Sequence, residues 1–296
     1  MDAEIFGLVS IEDLLLLAID IVYVAVGLVM LLVAKGFNDL ITPYRIDEQL
    51  RDHDNPALGV ALCGYFVGVI CIYIGAVLGA DIPGVPTWGE FFKILGLDIA
   101  YALMGIVALA VCRVVVDKLI LHKFSVEKEI IEDRNVGTGA IEAGALIASG
   151  LIIAGAIHGP GGGWDTALVF FLLGQAGLVG YSRIYDRMTA YDLHDEVECD
   201  NAAAGVACGA SMIAMGLIVL NAINGPFVSW MVNLTDFVLY TVVGVIALMS
   251  LRKGIDWFFL PGASLDYEIA HDRNLSAAWI EATVSISVAA MVFAIL

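Results

Sequence analysis

Positive charge is scarce: 14 Lys and Arg stand against 32 Asp and Glu in 296 residues, for a formal net charge of -18. So acidic a chain offers no basic patch to a polyphosphate, which excludes nucleic acid as a partner and suits cations instead. Charge of either sign is thin, at 16% of residues, where a soluble domain carries about a quarter. That leaves too little polar surface to cover a water-soluble globule. Cysteine is sparse and unpatterned. Cys63, Cys71, Cys112, Cys199 and Cys208 form no CxxC pair, four of them sit in apolar runs, and they read as reduced packing residues. Catalytic signatures are missing as well: there is no HExxH, no GxSxG and no convincing Ser-His or Cys-His set. No enzyme and no cofactor is expected, although an acid pair hidden among the carboxylates stays open. The GPGGGWD run at 159–165 lacks the GK[ST] ending of a phosphate loop. His158 stands alone without ligand spacing, so no metal site is expected there.

What fills the chain is apolar sequence, 60% of residues, with a mean hydropathy of +0.90. A spanning helix needs about 20 mainly apolar residues. Eight runs qualify, at 12–34, 56–79, 91–112, 136–158, 165–182, 202–224, 233–251 and 275–296. The first follows an acidic start rather than the basic n-region of a signal peptide, so it is expected to stay as a helix. Lys93 apart, every Lys and Arg falls in the odd-to-even loops or the helix ends beside them. The positive-inside rule then puts those loops in the cytoplasm and both termini outside, in an inner membrane.

Self-comparison shows four copies of one two-helix unit. IDEQLRDHDNPALGVALCG, VEKEIIEDRNVGTGAIEAG, LHDEVECDNAAAGVACG and LDYEIAHDRNLSAAWIEA each carry an acid or amide before an aliphatic residue, then an Asn opening a small-residue helix: Asn55, Asn135, Asn201 and Asn274. The odd helices align on Gly27, Gly105, Gly174 and Gly244, each followed twelve residues later by an aspartate: Asp39, Asp117, Asp186 and Asp256. Copies two and four alone share a Glu seven residues after the Asn, Glu142 and Glu281. The plan is a four-helix domain written twice, over 1–160 and 161–296. With an even number of helices per half, the two domains are expected to be related by a pseudo-twofold axis along the membrane normal, as in parallel-repeat transporters. The even helices, rich in Gly and Ala, should form the close-packed core, with the larger odd helices facing lipid.

This repeat, a polar joint, an acid/amide–aliphatic pair, then Asn and a small-residue helix (ITPYRIDEQLRDHDNPALGVALCG), resembles the YjfL-like membrane proteins, domain-of-unknown-function family 350. One domain of that family is about four helices, so the resemblance implies a tandem pair over nearly the whole chain. Members are often encoded beside PspA-like phage-shock proteins and polyamine- or glutathionylspermidine-related enzymes, which implies membrane stress or cation homeostasis. The family supplies no catalytic residues.

Three sets of residues are candidates. The four Asn are good helix N-caps, and four capped N-termini gathered on one axis would also present partial positive charge at the cytoplasmic face. Asp39, Asp117 and Asp256 have Lys35, Arg113 and Arg252 at i−4. They read either as ion pairs on helix ends or, with Asp186, as a carboxylate ring at a cytoplasmic mouth. The intramembrane acids are the sharpest set. Asp20, Asp98 and Asp236 lie early in odd helices and Glu142 and Glu281 lie about 10 Å into even ones. Each costs about 2.5–3.5 kcal/mol at the bilayer centre, so all five should face the bundle interior or a wet cavity. They read as interhelical glue, with Tyr23, Tyr101 and Tyr240 as partners, or as a cation or proton path pairing Asp98 with Glu142 and Asp236 with Glu281. The leading reading is a channel or transporter for protons or for monovalent or divalent cations. The alternative is a membrane-stress scaffold recruiting a cytoplasmic, PspA-like partner. A homodimer stays open.

Overall fold

A computed structural model describes residues 10–79, 85–159 and 161–295. Among them the chain is helical with no strand. Four units follow one another. Each has a long odd helix, a six-residue helix and a second long helix: α1 (Ile11–Ile41), α2 (Ile46–Arg51) and α3 (Pro56–Leu78); α4 (Trp88–Val115), running on as a π-helical turn over Val116–Ile120, then α5 (Val126–Ile131) and α6 (Val136–His158); α7 (Trp164–Met188), α8 (Leu193–Glu198) and α9 (Ala202–Ile223); α10 (Trp230–Phe258), α11 (Leu265–Ala270) and α12 (Leu275–Ile295). Eight of these helices are long and apolar enough to cross a membrane, which makes this a multi-pass membrane protein. Most of the GADIPGVP turn after α3 and the first nine residues lie outside the described residues.

The odd helices overrun the expected spans, by about two turns at the end of α10. Hydropathy stops at the first charged residue, whereas the helix continues until its polar side chains find partners beyond the apolar zone. The short helices are the other addition. Ser125, Asp192 and Ser264 cap three of them by accepting a backbone N–H. Each short helix ends the same way: Asp54, Arg134, Asp200 and Arg273, the residues before the four Asn, have φ of 47°, 54°, 60° and 50°. Non-glycine residues adopt this left-handed conformation at a cost of about 1–2 kcal/mol, and here it turns the chain from the short helix into the next span.

The Asn side chains offset that cost. Each Oδ1 accepts a backbone N–H in the first turn of its helix, from Leu58, Thr138, Ala204 and Ala277 among others. Each Nδ2 donates to the acid or amide of its own joint: Gln49, Glu129, Glu196 and Glu268. Three donate again, to the carbonyl of the aliphatic residue in the following unit: Asn55 to Ile130 at 2.8 Å, Asn135 to Val197 at 2.5 Å, Asn201 to Ile269 at 2.8 Å. One side chain therefore caps a helix, closes a joint and ties two units together.

The even helices α3, α6, α9 and α12 stand in a row. A Cβ on Gly64 would lie 2.2 Å from the Ala143 backbone, and one on Gly144 would lie 2.1 Å from the Gly209 carbonyl oxygen. These backbones touch because no side chain intervenes, which is how small residues drive association in lipid. The contact of α6 with α9 crosses the boundary at 160/161 as closely as α3 meets α6 within the first half. As expected, α6 and α9 are the most buried spans and α1, α4, α7 and α10 lie outside. The end helix α12 departs from the pattern: it is an even helix, yet most of its surface is bare.

Candidate functional site

Two side-chain clusters occupy equivalent places in units two and four. In the first, Arg113 near the end of α4 reaches across to α6, its Nε donating to Glu142 Oε1 at 2.8 Å and its Nη1 to Asn38 Oδ1 at 2.5 Å. The guanidinium lies over the Tyr65 ring, whose hydroxyl donates to the Ala34 carbonyl. In the second, Arg252 near the end of α10 lies 3.2 Å from Glu281 Oε1 and stacks over Tyr185, whose hydroxyl donates to the same carboxylate. Counting from the repeat marks, Tyr185 takes the place of Asn38. Tyr181 on the odd helix and Ser211 on the even helix replace Ala34 and Tyr65. The aromatic ring is thus supplied from opposite sides of the same contact in the two halves. An ion pair desolvated in this way holds only with good geometry and further hydrogen bonds: Arg113 hydrogen-bonds Glu142 directly, whereas Arg252 Nη1 faces Glu281 without a hydrogen bond, and that carboxylate relies on Tyr185.

The surroundings differ. Around Arg113 and Glu142 a cavity of about 570 Å³ opens toward the joints, lined also by Thr42, Tyr44, Ser125 and Glu127. Burial pushes the Tyr44 hydroxyl up to about 12. Around Arg252 and Glu281 only about 10 Å³ remains, room for one water at most. Arg252 Nη2 holds Asp266 at 2.6 Å, and Asp266 also accepts from the Ala190 N–H. Asp266 is the counterpart of Glu127, and Ala190 of Pro43, which has no N–H to give. Among the described residues Arg113 makes no pair with Glu127.

The sequence candidates are distributed as follows. The i−4 ion pair forms only at Lys35–Asp39, 3.0 Å. Arg113 and Arg252 turn into the membrane, because a guanidinium gains more from a buried carboxylate than from an exposed one. Asp117, Asp186 and Asp256 accept the N–H of Val126, Leu193 and Leu265 instead, each fixing the start of a short helix. The suggested pairs Asp98–Glu142 and Asp236–Glu281 are not brought together: Asp98 is fifteen residues from Arg113 on α4, roughly 22 Å along the helix. Asp98 is buried and accepts from Tyr23, one of its expected partners, at 3.2 Å. Asp236 is half-buried at the opposite end, in a cavity of about 310 Å³ with Asn221, Asn233 and Tyr240. Asp20 was expected to face inward, but it lies exposed on the outer surface of α1, on a face that no helix among the described residues covers. Sequence reasoning missed Asn38, Tyr185 and Asp266. Their signal was positional: each sits at a fixed offset from a repeat mark.

One further grouping has metal-ligand chemistry. Asp186, Asp192 and His194 bring a ligand atom each within 4.8 Å of one another. Burial depresses the His194 pKa, and its Nε2 bonds to the Ile120 carbonyl at 2.9 Å. Lys123 Nζ, 2.5 Å from Asp192, already supplies the positive charge that a cation would bring.

The fold and these clusters define an integral membrane protein made of tandem, intimately packed helical repeats. The chain belongs to the family described as Domain of Unknown Function (DUF350), whose model matches residues 12–157 and again residues 161–296. No curated protein and no solved structure matches it.

Proposed function

We propose that the chain is a non-enzymatic proton or cation pathway across the inner membrane, worked by two equivalent guanidinium–carboxylate sites. The observation behind this reading is that one chain holds one open and one shut copy of the same constellation. Carboxylates serving only as glue would be packed dry in both halves. The pairing also favours a proton over a metal ion. With Arg113 2.8 Å from Glu142, a metal cation has to displace a guanidinium, whereas a proton simply neutralises the carboxylate.

A cycle follows. A proton entering the cavity from the joint side, which the positive-inside rule puts in the cytoplasm, binds a Glu142 oxygen and releases Arg113. The guanidinium turns to Glu127, as Arg252 holds Asp266, and the cavity shuts. Loss of the proton to the opposite side of the membrane restores the Arg113–Glu142 pair, so that one proton crosses per cycle. Proteoliposomes test this. The wild type should carry protons or cations, and the E142Q/E281Q double variant should carry none while remaining monodisperse and folded. Normal flux in that variant would sink the proposal.

A second reading, a membrane-stress scaffold, draws on the exposed acids of the joints, Glu127, Glu132, Asp133, Glu198 and Asp200 among them. With Lys123, Lys128 and Arg134 beside them they form a highly charged face open to a cytoplasmic PspA-like partner. Charge reversal across 127–133 and 192–200 should then abolish recruitment in a pull-down, while E142Q/E281Q leaves recruitment intact.

A further inference from the structure

Two rules hold at every junction between consecutive units and a third at two of the three, and the ends of the row hold unused halves of the first and the third. The first is the amide bond already described: Asn of one unit donates to an aliphatic carbonyl of the following unit. The second is a knob in a hole. The Ile seventeen residues after each Asn meets the aligned glycine of the next odd helix: Ile72 against Gly105, Ile152 against Gly174, Ile218 against Gly244. The third lies at the opposite end of the odd helices. At two of the three junctions the residue four before that glycine meets the residue seven before the next one: Tyr23 bonds Asp98, and Phe170 packs on Phe237 with ring centroids 6.2 Å apart, while at the middle junction Tyr101 stacks on Trp164.

Among the described residues no unit follows unit four and none precedes unit one. Asn274 Nδ2 is bonded only within its own joint, and among the described residues the Leu50 carbonyl receives no donor. Met291, in the place of the three Ile, is 52% exposed. Gly27 is buried under Tyr73 of its own unit, which fills the space that Ile takes at the other junctions. Tyr240 has no hydrogen-bond partner among the described residues, and Asp20, in the place of Asp98, is a bare carboxylate on a membrane helix. The flat faces repeat this. On α12 the positions by which the other even helices meet their successor are exposed and mostly small: Ser276, Thr283 and Ser287. On α3 the positions by which the others meet their predecessor are open: Gly59, with nothing within 4 Å of an added Cβ, and exposed Cys63.

We infer that a second copy of this chain docks head to tail, its unit one taking the place of a fifth unit against α12. The observation behind this is continuity of register: the unmet amide of Asn274, Tyr240 and the small-residue face of α12 have their complements in Leu50, Asp20 and the Gly59–Cys63 face of α3. In that assembly Asn274 donates to Leu50 of the second copy, Met291 packs beside Tyr73 of that copy, and Tyr240 supplies the partner that Asp20 lacks. The interface is heterologous, so copies close into a ring or continue as a row. It stands independently of what the guanidinium–carboxylate pairs conduct.

In the two Gly-rich junctions, the residue nine after Asn faces the residue eight after Asn in the next unit, Gly64 against Ala143 and Gly144 against Gly209. Thr283 should therefore face Cys63 of a second copy. The experiment is T283C in a chain keeping Cys63, with Cys71, Cys112, Cys199 and Cys208 replaced by Ala, oxidised by copper phenanthroline in native membranes. Within one chain these positions lie at opposite ends of the row. A reducible dimer or ladder on a denaturing gel that vanishes with C63A supports the inference. It is overturned by no cross-link when both thiols react with a maleimide, or by a cross-link that survives C63A, which marks a symmetric α12–α12 contact. As a second readout, T283W should lower the mass by light scattering from an oligomer to a monomer. An unchanged oligomer would overturn the inference too.

Discussion

The two halves place the same ion pair in two different solvents. Arg113 and Glu142 lie at the wall of an open cavity, with side chains 20% and 5% exposed, while Arg252 and Glu281 are 10% and 2% exposed in a site with no room to spare. The difference traces to few residues. Pro43 lacks the N–H by which Ala190 helps hold Asp266, and Glu127 is one methylene longer than Asp266. Tyr185 closes over the second pair where Asn38 leaves the first one reachable. A repeat can therefore keep a charged constellation and set its access through its neighbours.

Removing the guanidiniums separates the two environments most strongly. R252A leaves Glu281 and Asp266 without a counter-charge in a dry site and should cost about 3–5 kcal/mol. R113A should cost roughly 1–2 kcal/mol, since water in the cavity takes over its hydrogen bonds. Thermal unfolding in detergent, followed by tryptophan fluorescence, measures both, and equal losses would break the comparison. Adding E281Q to R252A should recover part of its loss, because the uncompensated carboxylate is gone.

Rebuilding the latch sharpens the comparison without removing charge. P43A/E127D gives the first half the donor and the acid length of the second, so Arg113 should engage residue 127. The rate at which a methanethiosulfonate reagent modifies S125C should fall several-fold. An unchanged rate would show that the latch does not set access.

The smallest effect concerns pH at the joints. His194 occupies the position of Asp47, Glu127 and Asp266, and its burial holds its pKa below the ordinary 6.5. The unfolded chain takes up this proton first on acidification. The stability contributed by the neutral ring is therefore complete above about pH 6.5 and is lost as pH falls below it. The melting temperature of wild type should drop between about pH 7.5 and about pH 5.5 more than that of H194N. Parallel curves would exonerate His194.

The eight spans, their fourfold repeat and the family were legible because apolar length and spaced marks are properties of the chain itself. The short helices were not legible, since six residues are too few to show a period. Their caps at Ser125, Asp192 and Ser264 were visible but unremarkable. The reach of Arg113 was misjudged for a different reason. Its i−4 distance to Asp117 fits a helical ion pair, and nothing in the spacing says that a buried Glu142 lies within the same reach. Asp20 and Asp98 look alike as sequence, at equal offsets from Gly27 and Gly105, yet one is bare and the other sits under Tyr23.

The sequence by itself determined the solvent and the plan: too few charges for water, eight apolar lengths, four Asn-marked units, and acids inside the spans that have to find partners. Tertiary structure alone decided which partners those are. A carboxylate in a membrane binds the nearest cation or donor that packing delivers, and that choice depends on which backbones can touch. Gly64, Gly144 and Gly209 set those distances. They bring α3, α6 and α9 into backbone contact, and the long side chains of the odd helices, Arg113 and Tyr185 among them, reach over that row to the buried carboxylates.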